Sequence, residues 1–126
     1  MTLLRSEHRP TAIFAAGYYF GLNTYTAALR AGLVIPDDLS VVSVDDPPSA
    51  AHLSPALTTM RQPLGEVGSR AIDEIYDQCR AGRVRETHHT LPARLVVRGS
   101  TAPPEGGAAV QTRLAESERA SERTVP

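Results

Sequence analysis

Three observations predict an α/β fold built on a parallel sheet. Residues 11–15 (Thr-Ala-Ile-Phe-Ala) and 39–44 (Leu-Ser-Val-Val-Ser-Val) are short, nearly uninterrupted runs of aliphatic and β-branched residues, the pattern of strands covered on both faces. Residues 18–31 between them have helical composition, so the order strand, helix, strand describes one right-handed crossover unit. Further on, Leu64, Val67, Ala71, Ile72, Ile75, Tyr76 and Cys79 recur at spacings of three and four, a single apolar stripe along a helix.

Each element has its own local reason. Residues 2–7 read as the end of a helix that Arg9-Pro10 stops, because the residue before proline is pushed out of helical geometry. Gly32 sits where the helix over 18–31 needs a left-handed cap, and Pro36-Asp37-Asp38 forms the turn into the next strand. Residues 45–56 are rich in Pro, Ser and Ala and too irregular for a strand. Residues 57–61 (Leu-Thr-Thr-Met-Arg) resume an extended run, and Pro63 suits the first turn of the helix that follows and ends at Gly82. That helix must lie on something, and Cys79 on its stripe is expected to be a small buried hydrophobe. Residues 87–91 and 94–98 read as strands broken by Pro92. After Ser100 the composition changes: residues 102–126 are polar, with Val110, Leu114 and Val125 as the large aliphatics, and are expected to be a disordered tail.

A chain of 126 residues with 41% apolar content suffices for one modest domain. The net charge of −1 gives no overall basic field, so strong nucleic-acid binding by these residues alone is not expected. Cys79 is the single cysteine, which excludes an internal disulfide. The opening residues do not combine a basic flank, an apolar run and a small-residue cleavage site, so a cytoplasmic setting is expected. Apolar runs fall well short of the ~20 residues needed to cross a bilayer, and no membrane role is expected.

The run Leu57-Thr58-Thr59-Met60-Arg61-Gln62-Pro63-Leu64-Gly65, just downstream of Ser40-Val41-Val42-Ser43-Val44-Asp45-Asp46, carries the most information. Together with Thr11-Ala12-Ile13-Phe14-Ala15-Ala16 and Leu95-Val96-Val97-Arg98-Gly99-Ser100-Thr101, in that order, it resembles the C-terminal part of lactose-repressor (LacI/GalR-type) bacterial transcription regulators. The resemblance covers roughly the first four fifths of the chain. It implies a partial periplasmic-binding-protein-like (type I) sensor domain over residues 1–101, with 1–62 and 93–101 in one lobe and 63–92 in the other. It further implies a small-molecule effector that is a sugar or nucleobase-like, a homodimer, and operator DNA reached only through an N-terminal helix-turn-helix that these residues do not contain.

Ligand chemistry in an open α/β sheet belongs at the carboxyl ends of the strands, where Asp45 and Asp46 stand. A carboxylate there accepts hydrogen bonds from sugar hydroxyls or purine N–H groups. The resemblance makes Asp45 the effector contact and Asp46 the residue that ties down the following loop; the alternative is that both acids only cap turns before Pro47. The family's glycine and aromatic before the acid pair are Ser43 and Val44 here. Gln62 offers donor and acceptor at the implied crossing between lobes, a natural hinge, while Arg61 reads as a solvated positioning charge. Where relatives carry Asn-Asp after the first strand, this chain has Gly17-Tyr18, so Tyr18, Tyr19 and Phe20 would offer a stacking face or else pack against the strands. The resemblance places the self-association surface on the 18–31 helix and on 49–53, with Leu22 and Leu53 as apolar anchors rimmed by Asn23, Arg30 and His52.

Other chemistries are weaker. His88 and His89 are adjacent on an expected strand and would point to opposite faces, a poor geometry for one metal ion, so neither metal nor cofactor is expected. No phosphate loop, dinucleotide fingerprint or nucleophile elbow is present, and the chain is not expected to be an enzyme. The alternatives to a regulator's sensor are a transporter-associated sugar-binding protein, or a truncated gene product without independent activity.

Overall fold

The computed structural model describes residues 3–104. Its element order is a 3₁₀ turn (Leu3–Arg5), β1 (Ala12–Ala15), α1 (Tyr18–Ala31), β2 (Ser40–Val44), a second 3₁₀ turn (Pro48–His52), β3 (Thr58–Arg61), α2 (Leu64–Ala81) and β4 (Arg94–Val96). One four-stranded sheet runs in the order β1-β2-β3-β4, with β1, β2 and β3 parallel and β4 antiparallel to β3. The predicted α/β class with a parallel sheet therefore holds, with one antiparallel edge.

α1 packs on β1 and β2. The face it covers carries Ile13 and Ala15 of β1, Val41 and Ser43 of β2, and Leu57 ahead of β3, since strand side chains alternate between faces. The core there consists of Leu4, Ala28, Leu39, Val41, Ala50 and Leu57, with Ile13, Tyr18, Tyr25, Leu33 and Leu53 packed around it. Close approach of α1 depends on Gly21: a Cβ at that position would stand 3.2 Å from both Leu57 Cδ2 and Ser43 Cβ. Gly32 ends α1 at φ 74° and Gly82 ends α2 at φ 61°, both in the left-handed conformation expected of a glycine cap.

The segment after β4 folds back and closes the amino-terminal end of the sheet. Ser100, fully buried, donates from Oγ to the Val41 carbonyl (2.6 Å) and accepts from the Thr58 N–H (2.8 Å), while its own carbonyl accepts from the Val41 N–H (2.8 Å). Ala102 still belongs to this arrangement, exchanging two hydrogen bonds with Ser40 Oγ. The rest of the expected disordered tail, from residue 105 onward, lies outside the described residues.

Several sequence expectations are corrected. β1 is not covered on both faces: Phe14, opposite the α1 side, is 63% exposed, because the helix layer among the described residues lies on one face only. The α2 stripe is no such correction, since the resemblance places its covering sheet in the other lobe: among the described residues it meets no layer and the helix has no buried residue, leaving Leu64, Ile72, Ile75 and Tyr76 exposed. Cys79 on that stripe is exposed rather than buried. Residues 87–91 form no strand, since no strand among the described residues supplies them with ladder partners, so the argument from alternating faces does not apply to His88 and His89. The helix end expected over 2–7 is reduced to the 3₁₀ turn at Leu3–Arg5.

Ser43 Oγ is fully buried without a hydrogen-bond partner among the described residues. A buried hydroxyl that has lost its water costs about 1–3 kcal/mol of desolvation that nothing here returns. Ser43→Ala is therefore expected to leave stability unchanged or raise it by about 1 kcal/mol in denaturant unfolding. A loss of 1 kcal/mol or so would show that the hydroxyl has a partner in solution.

Candidate functional site at the carboxyl ends of the strands

The parallel register aligns the carboxyl ends of three strands, with Ala15 beside Ser43 and Val44 beside Met60. The next residues of each strand therefore gather at one rim: Gly17 and Tyr18 after β1, Asp45 and Asp46 after β2, and Gln62 after β3. Of the expected ligand residues, Asp45 and Gln62 are brought into direct contact, Gln62 Nε2 donating to Asp45 Oδ1 at 2.9 Å. Asp45 is held at φ 69°, a left-handed conformation uncommon for a residue with a side chain, and its N–H donates to the Met60 carbonyl at 3.1 Å.

Gly17 precedes α1 at φ 148° and ψ 153°, a backbone region that a side chain disfavours. The glycine thus belongs to the sharp strand-to-helix turn that aims α1. Tyr18 is half-buried, packs on the core and meets Tyr19 edge-on, with centroids 5.7 Å apart. Tyr19 and Phe20 remain exposed. Of the two expected interface anchors, Leu22 is half-buried on α1, whereas Leu53 packs against the chain's own core.

Asp46 has a different environment, and its side chain is only 2% exposed. Its Oδ1 accepts from Thr59 Oγ1 (2.8 Å) and Arg98 Nη2 (2.7 Å), and its Oδ2 accepts from Arg61 Nε (2.7 Å). Burial pushes this carboxyl up, but the hydrogen bonds from Arg98, Arg61 and Thr59 outweigh burial and hold it below the ordinary carboxylate range. Arg61 is thus a tethered partner rather than a free surface charge, though its side chain stays 56% exposed. Sequence reasoning missed Arg98 and Thr59. The one available signal was a lone arginine closing the aliphatic run Leu95-Val96-Val97, a position where a charge needs a partner.

Gln62 also opens a groove of about 450 Å³ bounded by α2 and residues 87–93, lined by Val67, Arg70, Glu74, Ile75, Thr87, His89 and Leu91 among others. Glu74, one of its lining residues, is hydrogen-bonded by Gln78 and then His89, which hold that carboxyl below its usual range. Among the described residues no group of three or more His, Cys, Asp and Glu could hold a metal ion, and no helix is long and apolar enough to cross a membrane.

Residues 1–101 match the periplasmic binding protein-like domain family. The lactose operon repressor of Rhizobium radiobacter is 41% identical over 103 residues, covering 82% of this chain and 90% of that protein. The HTH-type transcriptional repressor PurR of Klebsiella pneumoniae is 35% identical over 100 residues, but those span 79% of this chain and only 29% of PurR. Among solved structures, a LacI family regulator from Enterococcus faecalis with bound ribose superposes with a TM-score of 0.73 at 30% identity, over 81% of this chain and 38% of that one. A dimeric Lac repressor superposes with a TM-score of 0.68 at 32% identity, over 75% of this chain and 35% of that one. The sheet topology, the acid pair at its rim and these likenesses together place the chain in the lactose-repressor (LacI) family, as part of its periplasmic-binding-protein-like domain.

Proposed function

We propose that this chain is the effector-sensing part of a LacI-type transcription regulator in the cytoplasm, acting by binding rather than catalysis. The observation that carries the reading is Asp45: a carboxylate at the rim, in an unusual backbone conformation, facing a glutamine amide one residue before the next helix begins to form. Such a pair accepts and donates hydrogen bonds to a polyhydroxyl sugar or a nucleobase-like metabolite, with Gly17 and Tyr18 walling the same rim. The ribose bound to the Enterococcus faecalis relative supports a sugar.

The proposed hinge is Gln62-Pro63, between a lobe of residues 1–62 and 93–101 and a lobe of residues 63–92. Ligand held between lobes favours their closure, and closure would be coupled to operator affinity through a helix-turn-helix of the intact regulator. Titration calorimetry with ribose and lactose tests the site. Asp45→Asn is expected to weaken binding of whichever sugar binds by about 1.5–3 kcal/mol, the size of a charge-assisted hydrogen bond. Equal affinity for the two proteins would remove Asp45 from the site.

The regulator is proposed to act as a homodimer, paired through the outer face of α1 and the turn at Pro48–His52. The dimeric Lac repressor among the structural neighbours supports this. Because Leu53 packs on the core, Leu22→Glu is the cleaner probe. It should convert a dimer to a monomer in sedimentation velocity; an unchanged profile would move the interface elsewhere.

A further inference from the structure

Asp45 and Asp46 are adjacent, yet one carboxylate meets Gln62 at the rim while the other is buried between Thr59 and two arginines. Between the two environments the backbone of Asp45 is left-handed, a conformation uncommon for a residue with a side chain and kept by its surroundings. Asp45 is restrained directly by its N–H bond to Met60 and by the contact of its carboxylate with Gln62, and the three groups bonded to Asp46 restrain the adjoining backbone. Of the groups on Asp46, Arg98 is the most firmly tied. Besides its contact with Oδ1, its Nη1 donates to the Leu57 carbonyl (2.6 Å) and Thr59 Oγ1 (3.2 Å), and its N–H donates to Thr58 Oγ1 (2.9 Å). Its side chain is 16% exposed, so the pair with Asp46 is little screened by water.

We propose that Arg98 is a positioning residue for the ligand site: by fixing Asp46 it fixes the backbone of Asp45, and so aims the Asp45 carboxylate at Gln62 and at a ligand's hydroxyl or N–H donor. The ligand arm of this proposal rests on the reading of Asp45 given above; the Gln62 arm does not. Arg98 comes from 52 residues beyond Asp46, where the chain re-enters the sheet after α2, whereas Gln62 stands where it leaves. The direction of the acceptor thereby depends on both crossings being in place.

The test uses the full chain. Side-chain amide resonances are recorded by ¹⁵N–¹H spectroscopy, Gln62 being assigned from its loss in Gln62→Ala. In Arg98→Met, which keeps the length of the side chain but loses its charge and fork, the Gln62 amide should move to the position it takes in Asp45→Ala. Should Arg98→Met fail to fold, Arg98→Lys keeps the charge without the fork and should move the signal part of the way. A wild-type Gln62 signal in either folded variant overturns the proposal.

With ribose or lactose as probe, Arg98→Met should lower the association constant about tenfold, and in an Asp45→Asn background it should add no further loss, because residues acting through one group are not additive. Additive losses would mean that Arg98 acts elsewhere and would overturn it. A moved Gln62 signal together with unchanged sugar affinity in Asp45→Asn would uphold the positioning role and reject Asp45 as the ligand acceptor. If neither sugar binds, the Gln62 signal alone decides.

Discussion

Asp46→Asn is expected to destabilise the fold by about 3 kcal/mol, measured by denaturant unfolding near neutral pH, because breaking a buried ion pair strands its partner. The partner that matters is Arg98, with a side chain 16% exposed; Arg61, at 56%, can turn its charge to water. The amide also replaces an anion that accepts from Thr59, Arg61 and Arg98 at once with a group that must turn a donor toward one of the arginines. The effect has a pH signature. The Asp46 carboxyl titrates below its ordinary value in the folded chain, so its contribution is complete above the unfolded carboxylate pKa of about 3.9 and is lost as pH falls through the folded value. The gap between wild type and Asp46→Asn should hold from neutral pH down to about 5 and close in stronger acid. A gap independent of pH, or smaller than about 1 kcal/mol, would show that the ion pairs contribute no more than exposed ones do.

Leu57→Ala is expected to cost about 3 kcal/mol, within the usual range for deleting a fully buried leucine. Leu57 is completely buried just ahead of β3, and its Cδ2 is the atom against which Gly21 of α1 packs. Truncation opens a void beside a residue with no side chain of its own, so little nearby can collapse into the space. The same geometry predicts partial repair. In wild type, a Cβ at position 21 would sit 3.2 Å from Leu57 Cδ2 and crowd it; with Leu57 shortened, that contact disappears and the Ser43 side chain remains close, its Cβ at 3.2 Å and its Oγ at 3.5 Å. Gly21→Ala should therefore be better tolerated in the Leu57→Ala background than in wild type, the alanine also gaining about 1 kcal/mol of helix propensity. A double-mutant cycle in thermal unfolding measures the coupling, and strictly additive losses would mean that the contact between Gly21 and Leu57 is looser than this.

The elements legible in the sequence are those whose causes are local. α1 runs Tyr18–Ala31 as read from its composition, because Gly32 supplies the left-handed cap that a residue with a Cβ resists. α2 is a helix for the same kind of reason, with its stripe at helical spacing and Gly82 past its end. The rim at Asp45 and Gln62 was also visible as the point where aliphatic runs give way to polar residues. Whether the two would touch was not, since their 2.9 Å contact depends on the register that sets Val44 beside Met60.

Whatever depends on a distant partner was decided by the tertiary structure. The stripe on α2 says that the helix can be covered, not that it is, and among the described residues nothing buries it or Cys79. Residues 87–91 have strand-forming composition much like that of β4, yet only Arg94–Val96 has a neighbour, β3, to complete its hydrogen bonds. Local sequence expresses propensity, which tertiary pairing then selects. The same holds for the charges. Asp46 reads as a residue that ties down its loop or caps a turn and Arg61 as a solvated positioning charge, while for Arg98 and Ser100 the local sequence names no partner. The burial of the Asp46 side chain, Arg98 and Ser100 follows from a return of the chain that brings residues 52 and 59 positions apart into contact, a closure that no short window of sequence can express.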